Sequence, residues 1–383
     1  MIAAEPTWHL VTCEYAPQVG GVADFTRTIA EGLTAAGRQV HVWSPAPASA
    51  GRSVAVHELP GGYRVSGLGA LDRALDRCPP PRRLFVQWVP HGYGYKSLNV
   101  PFCLWVRRRA QRGDEVQLMV HEPFLPFDRT RIRQNVGAVV HRVMLHLLLR
   151  AARRVWVSTS SFLPDVERFA PEESEGARWL PIPATVLPVA DAAGVAALRS
   201  TLAGAAPIVG YFGTCNPMVA PMLRRVFERL AGERPDLRFV LAGRGTGAFA
   251  SRLIQDGSLP GSALVASGER QSRELSLLLQ CCDVFVQPYH DGVSTRRTTL
   301  MSLLEHGRAV VTSTGVRTEE GWRRSGALIL TPAGDPAGMA SAALALIARP
   351  ADREALGERA RSLYLADFDV TRTLAALAGA AAL

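Results

Sequence analysis

The alternation of short apolar strands with amphipathic helices, run through twice, is the strongest constraint on what this chain can fold into. His9-Leu-Val-Thr-Cys-Glu-Tyr reads as a strand, and the Ala16–Asp24 loop follows it. Phe25, Ile29 and Leu33 then recur at helical spacing until Gly37. Gln39–Trp43, Leu84–Val89, Val116–Val120 and Arg154–Ser158 read as further strands, with helical patterns over Phe102–Arg112 and Arg133–Ala152. This rhythm predicts a parallel sheet covered on both faces. From Ser161 to Ala206 the alternation weakens and prolines gather, as in an interdomain connection with its linker near 185–205. The rhythm then restarts. Pro207–Gly213, Leu237–Gly243, Asp283–Gln287, Ala309–Thr312 and Ala327–Leu330 read as strands, with helices over Pro221–Glu233, Glu274–Cys281 and Thr298–His306.

The expected fold is therefore α/β, with two Rossmann-like domains facing across a cleft. The first spans residues 1–188 and the second 189–365, and 366–383 is expected as a helix packing back on the first domain. With 383 residues, 48% of them hydrophobic, the chain has the material for two cores. No stretch approaches the roughly 20 apolar residues of a membrane span, and no basic segment precedes an apolar run at the N-terminus. The six cysteines form no CxxC pair and read as reduced thiols of a cytoplasmic protein.

Charge is unevenly spread. Between Pro101 and Arg154, eleven arginines stand against four acids, which is +7 of the overall +9. A basic face of this kind suits an anionic membrane surface, a phosphorylated substrate or nucleic acid. The region lacks the interleaved aromatics and motifs of a nucleic-acid binder, so no nucleic acid is expected.

Functional residues belong in the loops after strands, because ligands of doubly wound sheets bind outside the strand carboxyl ends. Three such loops stand out. Gly20-Gly21 precedes a helix whose free N–H groups suit an anion, although the loop is not GxGxxG. His121-Glu-Pro-Phe closes a strand and would aim an imidazole outward. The run from Asp283 to Val311 leads through a Gly-containing turn to Ser294 or Thr295 as helix N-cap, with Arg296 and Arg297 in the first turn. Positive charge there opposes the helix dipole, which makes sense if phosphate binds between the arginines and the N–H groups. No His/Cys/carboxylate cluster has metal-ligand spacing.

Taken together, Gly20-Gly21-Val-Ala-Asp24, His121-Glu-Pro-Phe, Phe239-Val-Leu-Ala-Gly243-Arg-Gly and Asp283–Val311 resemble the retaining glycosyltransferase family 4, which has the GT-B fold and uses nucleotide-sugar donors. The resemblance covers nearly the whole chain. It implies that Gly20 and Gly21 approach the donor diphosphate and that His121 contacts the transferred sugar. Gly213 and Thr214, Gly243 and Arg244, and the Ser267–Arg270 loop with Gly268 and Glu269 would line the donor. Asp291, Gly292, Val293, Ser294, Thr295, Arg296, Arg297 and Thr298 would hold sugar and diphosphate, with Glu305 a nearby acid. His121, Asp291, Arg296 and Arg297 are the catalytic candidates.

The chain departs from the family at two places. Ser294 and Ser302 occupy the positions of the usual Glu-x7-Glu, and Gly213-Thr-Cys-Asn-Pro217 replaces the usual Gly-Arg…Lys. The expected reaction is retaining transfer from a UDP- or GDP-sugar, without metal or other cofactor, to a saccharide, glycolipid or small-molecule acceptor. Phe102, Leu104 and Trp105 precede Arg107–Arg109, and with Arg112, Arg129, Arg131 and Arg133 they suggest an apolar patch beside positive charge. That would place the protein peripherally at the inner face of an anionic membrane, in surface-polysaccharide or glycolipid assembly. A soluble acceptor stays open. So do an epimerase or phosphorylase on the same fold and a non-catalytic nucleotide-sugar-binding protein.

Overall fold

The computed structural model describes residues 5–18, 20–45, 54–130, 132–171 and 176–379. The chain forms two compact units. The first comprises Met1–Ile182 together with Val370–Leu383, and the second is Pro183–Asp369. The crossings fall after Ile182 and Asp369 rather than after 188 and 365.

In the first unit, strands β1 (Thr7–Val11), β2 (Val40–Ser44), β3 (Ala55–Glu58), β4 (Arg82–Trp88), β5 (Glu115–Val120), β6 (Arg154–Val157) and β7 (Ala177–Trp179) form one parallel sheet. Its order is β3-β2-β1-β4-β5-β6-β7. The helices are α1 (Gly21–Ala35), α2 (Val65–Asp76), α3 (Val100–Gln111), α4 (Ile132–Leu149) and α5 (Leu163–Glu167). Successive strand residues feed opposite faces. Leu84, Val86 and Trp88 join one apolar cluster, whereas Phe85 joins the other with Leu10, Phe25 and Met119.

The second unit opens with α6 (Ala192–Ala203), where the sequence suggests a linker. The alanines that read as a turn-rich connection are the best helix formers, and Asp191 caps the helix by accepting the Gly194 N–H at 2.9 Å. Strands β8 (Ile208–Phe212), β9 (Arg238–Ala242), β10 (Leu264–Gly268), β11 (Val284–Gln287), β12 (Ala309–Thr314) and β13 (Ile329–Pro332) pair in parallel, in the order β10-β9-β8-β11-β12-β13. Between and after them run α7 (Ala220–Glu233), α8 (Thr246–Gln255), α9 (Ser272–Cys281), α10 (Thr298–Glu305), α11 (Glu320–Ser325), α12 (Pro336–Ala348) and α13 (Pro350–Asp367).

The tail from 366 is not one helix: α13 ends at Asp367 and α14 (Val370–Ala378) belongs to the first unit. There Leu377 is fully buried, and its carbonyl accepts from Gln117 Nε2 at 3.3 Å. Each sheet reverses its strand order once, between β1 and β4 and between β8 and β11. Those reversals mark the places where a doubly wound sheet opens a crevice for ligand.

Candidate functional site

In the second unit, the loops after β8, β9 and β10 are stitched together through their backbones. Gly213 N donates to Ala242 O at 2.9 Å, Cys215 N to Arg244 O at 2.9 Å and Gly243 N to Gly268 O at 2.8 Å. Gly213, Thr214, Gly243, Arg244 and Gly268 are thereby neighbours, with Thr214, Arg244 and Glu269 exposed.

On the other side of the β8/β11 reversal, the segment after β11 is held by β12. Val293 N donates to Ser313 O at 2.8 Å, and the Ser313 hydroxyl accepts from Tyr289 N at 2.7 Å while donating to Tyr289 O at 2.6 Å. Gly292 takes φ +90, and a side chain there would collide with the Gly315 backbone and Thr318. Only glycine fits this turn.

Helix α10 begins at Thr298, with Arg297 as its N-cap. Ser294 and Thr295 therefore do not cap it, and Arg296 and Arg297 precede the helix instead of lying in its first turn. Thr295 is engaged elsewhere, donating from N and Oγ1 to Glu319 Oε1 at 3.1 and 2.7 Å. Ser294 is fully buried, and its hydroxyl has no hydrogen-bond partner among the described residues. Both arginines converge on Asp291. Arg296 donates to Oδ2 at 2.7 Å and Arg297 to Oδ1, while the Arg297 guanidinium lies 4.5 Å over the Tyr289 ring. Burial pushes the Asp291 carboxyl up, but Arg297 and Arg296 outweigh it and hold the group below the usual range. Asp291 is thus a carboxylate with no proton to give.

Glu305 is the last residue of α10, about 10 Å of helix away from Thr298. The structure does not bring it to the Arg296–Arg297 cluster. Burial, then Asp369, raises its carboxyl. Ser302 accepts the N–H groups of Thr185 and Val186, each at 3.3 Å. A cavity of about 420 Å³ opens over the ends of β8, β11, β12 and β13, lined by Met218, Met222, Tyr289, His290 and Ser313 among others.

In the first unit, the Gly20–Gly21 loop is not an open anion site. Glu14 Oε1 accepts the N–H groups of Val22 and Ala23, both at 3.1 Å, and its carboxylate lies against Gly20, so that a side chain there would displace it. Val19 lies outside the described residues. His121 is half-buried at the end of β5, its ring edge against Phe25 and its Nε2 2.7 Å from Gln87 Oε1. Burial pulls its pKa down to about 3, so the imidazole is neutral.

The apolar patch expected before the arginine run does not form: Phe102 and Trp105 are buried and only Leu104 is exposed. Arg109 is fully buried and donates to Asp114 and Asp76, each at 2.6 Å. Arg108 and Arg112 share Asp72, at 2.9 and 3.0 Å. Much of the run is thus neutralised by α2, an element the sequence did not announce. Arg131 and the Arg133 side chain lie outside the described residues.

Residues 206–349 match the family described as glycosyl transferases group 1. The matched stretch lies within the second unit. Solved structures resemble the chain over nearly its whole length. Anabaena HepE in complex with UDP and glucose is 14% identical, with 98% of this chain and 99% of that chain covered and a TM-score of 0.71. Sucrose-phosphate synthase from Thermosynechococcus elongatus is 17% identical, with 98% of each chain covered and a TM-score of 0.75. WaaG, described as involved in lipopolysaccharide biosynthesis, is 13% identical, with 97% and 98% covered and a TM-score of 0.63. No curated protein matches the chain by sequence. At these identities the likeness establishes the fold, GT-B.

Among the described residues of the chain, no three His, Cys, Asp or Glu side chains are grouped as around a metal ion. None of its described helices is long and apolar enough to cross a membrane. Sequence reasoning missed Glu14, Glu319 and Gln87. Glu14 carried a signal, an acid just ahead of a helix start. Glu319 is 24 residues from Thr295 and had none.

Proposed function

We propose that this glycosyltransferase moves a sugar from a UDP- or GDP-sugar to a saccharide, glycolipid or small-molecule acceptor, with retention and without a metal. The observation that carries this reading is the pair Arg296 and Arg297, gathered on one carboxylate at the start of α10 beside the strand reversal. Support also comes from the shared fold: HepE was solved with UDP-glucose, and a trehalose-phosphate synthase from Burkholderia xenovorans with glucose-6-phosphate.

In this reading the donor diphosphate takes one or both guanidiniums from Asp291. Charge-assisted hydrogen bonds to the leaving diphosphate then lower the barrier, because they are oriented before the reaction begins. The anomeric C–O bond to phosphate breaks and a bond from the acceptor oxygen forms on the same face. The acceptor proton goes to a phosphate oxygen, as the family resemblance implies, so no protein base is required.

Isothermal titration with UDP and GDP, followed by assay of sugar transfer, tests the proposal. Replacing Arg296 and Arg297 with Ala should raise the nucleotide Kd at least about tenfold, since a charge-assisted bond is worth roughly 1.5–3 kcal/mol. Unchanged affinity would refute their role. One observation favours a second reading: both family glutamate positions hold serine, and Ser302 is committed to the backbone of residues 185 and 186. Donor binding without turnover against any acceptor would leave the non-catalytic binding protein.

A further inference from the structure

Helix α4 is apolar on two sides. Met144, Leu145, Leu148 and Leu149 enter the core. Among the described side chains, Asn135, His141 and Arg142 turn back onto neighbouring loops. Asn135 accepts the Asp128 N–H at 2.8 Å and donates to the Asp128 carbonyl at 3.0 Å, and His141 Nε2 meets Ser97 O at 2.8 Å. Arg142 donates to Leu125 O at 3.0 Å and lies over the Phe124 and Phe127 rings at 4.0 and 4.1 Å. Among the described side chains of α4, those exposed are Ile132, Val136, Val139 and Val143, between 48% and 76% exposed and spaced as one helical stripe.

The loops that α4 pins add to the same region. Phe127, under Arg142, is exposed. Tyr95 and Lys96 are exposed on a segment in which Tyr95, Lys96 and Ser97 all take left-handed φ of 50, 52 and 70. Three consecutive non-glycine residues in that conformation are costly to hold. Here the anchored Ser97 carbonyl holds them, and they present an aromatic ring and the only lysine of the chain.

Charge decides the occupant. From Ile132 to Leu149 the helix has no Asp or Glu, and Arg129 and Arg131 precede it. Asp128, the nearest acid before the helix in sequence, accepts the Thr130 N–H and hydroxyl at 2.7 and 2.6 Å. A second copy would oppose two acid-free, basic helices. An apolar stripe edged by cations and a tyrosine instead matches the boundary between headgroups and acyl chains of an anionic bilayer. We infer that α4, with the Tyr95–Lys96 and Phe127 loops, docks the protein in the plane of an anionic lipid surface. The docking face is α4, not the Arg107–Arg109 run. The inference does not depend on the donor reading.

Co-sedimentation of the full chain with vesicles tests it, using phosphatidylcholine alone or mixed with phosphatidylglycerol. Binding to the anionic vesicles should weaken with salt and fall at least tenfold in V136E/V139E. The milder V136S/V139S should also weaken it while keeping the wild-type melting temperature and UDP affinity, which separates lost docking from lost fold or lost donor binding. No binding to anionic vesicles at low salt overturns the inference, and so does binding that both double variants leave unchanged. A wild-type dimer that V136S/V139S splits, without vesicle binding, assigns the stripe to a second copy and overturns it as well.

Discussion

One carboxylate, Asp291, neutralises the two guanidiniums that the proposed function assigns to an incoming diphosphate. Replacing it with Asn removes that competition while leaving an oxygen to orient the arginines. If Arg296 and Arg297 bind phosphate, Asp291→Asn should tighten UDP or GDP binding by up to about tenfold, or 1.4 kcal/mol. Weaker binding would show instead that the carboxylate positions the arginines for the ligand. Histidines give a second prediction at this scale. His9 and His121 are pulled to about 3 and His306 to about 4, from 6.5, chiefly by burial. Protonation is disfavoured in the folded state, so below pH 6.5 the unfolded chain binds more protons. Stability should therefore fall as pH drops from about 6.5 towards 3, by up to about 1.4 kcal/mol per pH unit for each group. Urea midpoints at pH 7 and 5 measure this, and His9→Asn with His121→Asn should flatten the slope. A midpoint indifferent to pH would contradict the neutral assignments.

At the scale of elements, the start of α1 depends on a side chain outside the helix. Glu14 supplies the acceptor for two N–H groups that Gly20, the N-cap, cannot serve. Glu14→Ala should cost about 1–2 kcal/mol, and Glu14→Gln less, because an acceptor oxygen remains. Equal urea midpoints for wild type and Glu14→Ala would refute the capping role. The same helix shows what the sequence could and could not reveal. Phe25, Ile29 and Leu33 announced α1, and long apolar runs announced β4, β5, β8, β9 and β11, because buried parallel strands are hydrophobic on both faces. Short, half-exposed β3 and β7 gave no such pattern. The tight turn at Gly292 was readable from its glycine. The convergence of Arg296 and Arg297 on Asp291 was not, since spacing in sequence does not say where a loop folds back. Nor was the neutralisation of Arg108, Arg109 and Arg112, which needs acids of α2 more than thirty residues away.

For the whole molecule, the two units have separate cores and the nucleotide reading assigns phosphate binding to the second. Calorimetry should then resolve two transitions, of which saturating UDP or GDP raises the one belonging to the second unit, by about 2.7 kcal/mol at a hundredfold excess over Kd. A ligand shift confined to the first unit would contradict that assignment. The first unit is also discontinuous in the chain, since α14 returns to it after the entire second unit has been traversed. On the ribosome this imposes an order. Residues up to Ile182 emerge before the second unit, yet the pocket that receives Leu377 stays unfilled until the residues after Asp369 have been made. The second unit, made as one unbroken stretch, can complete its core before the older half of the protein finishes its own.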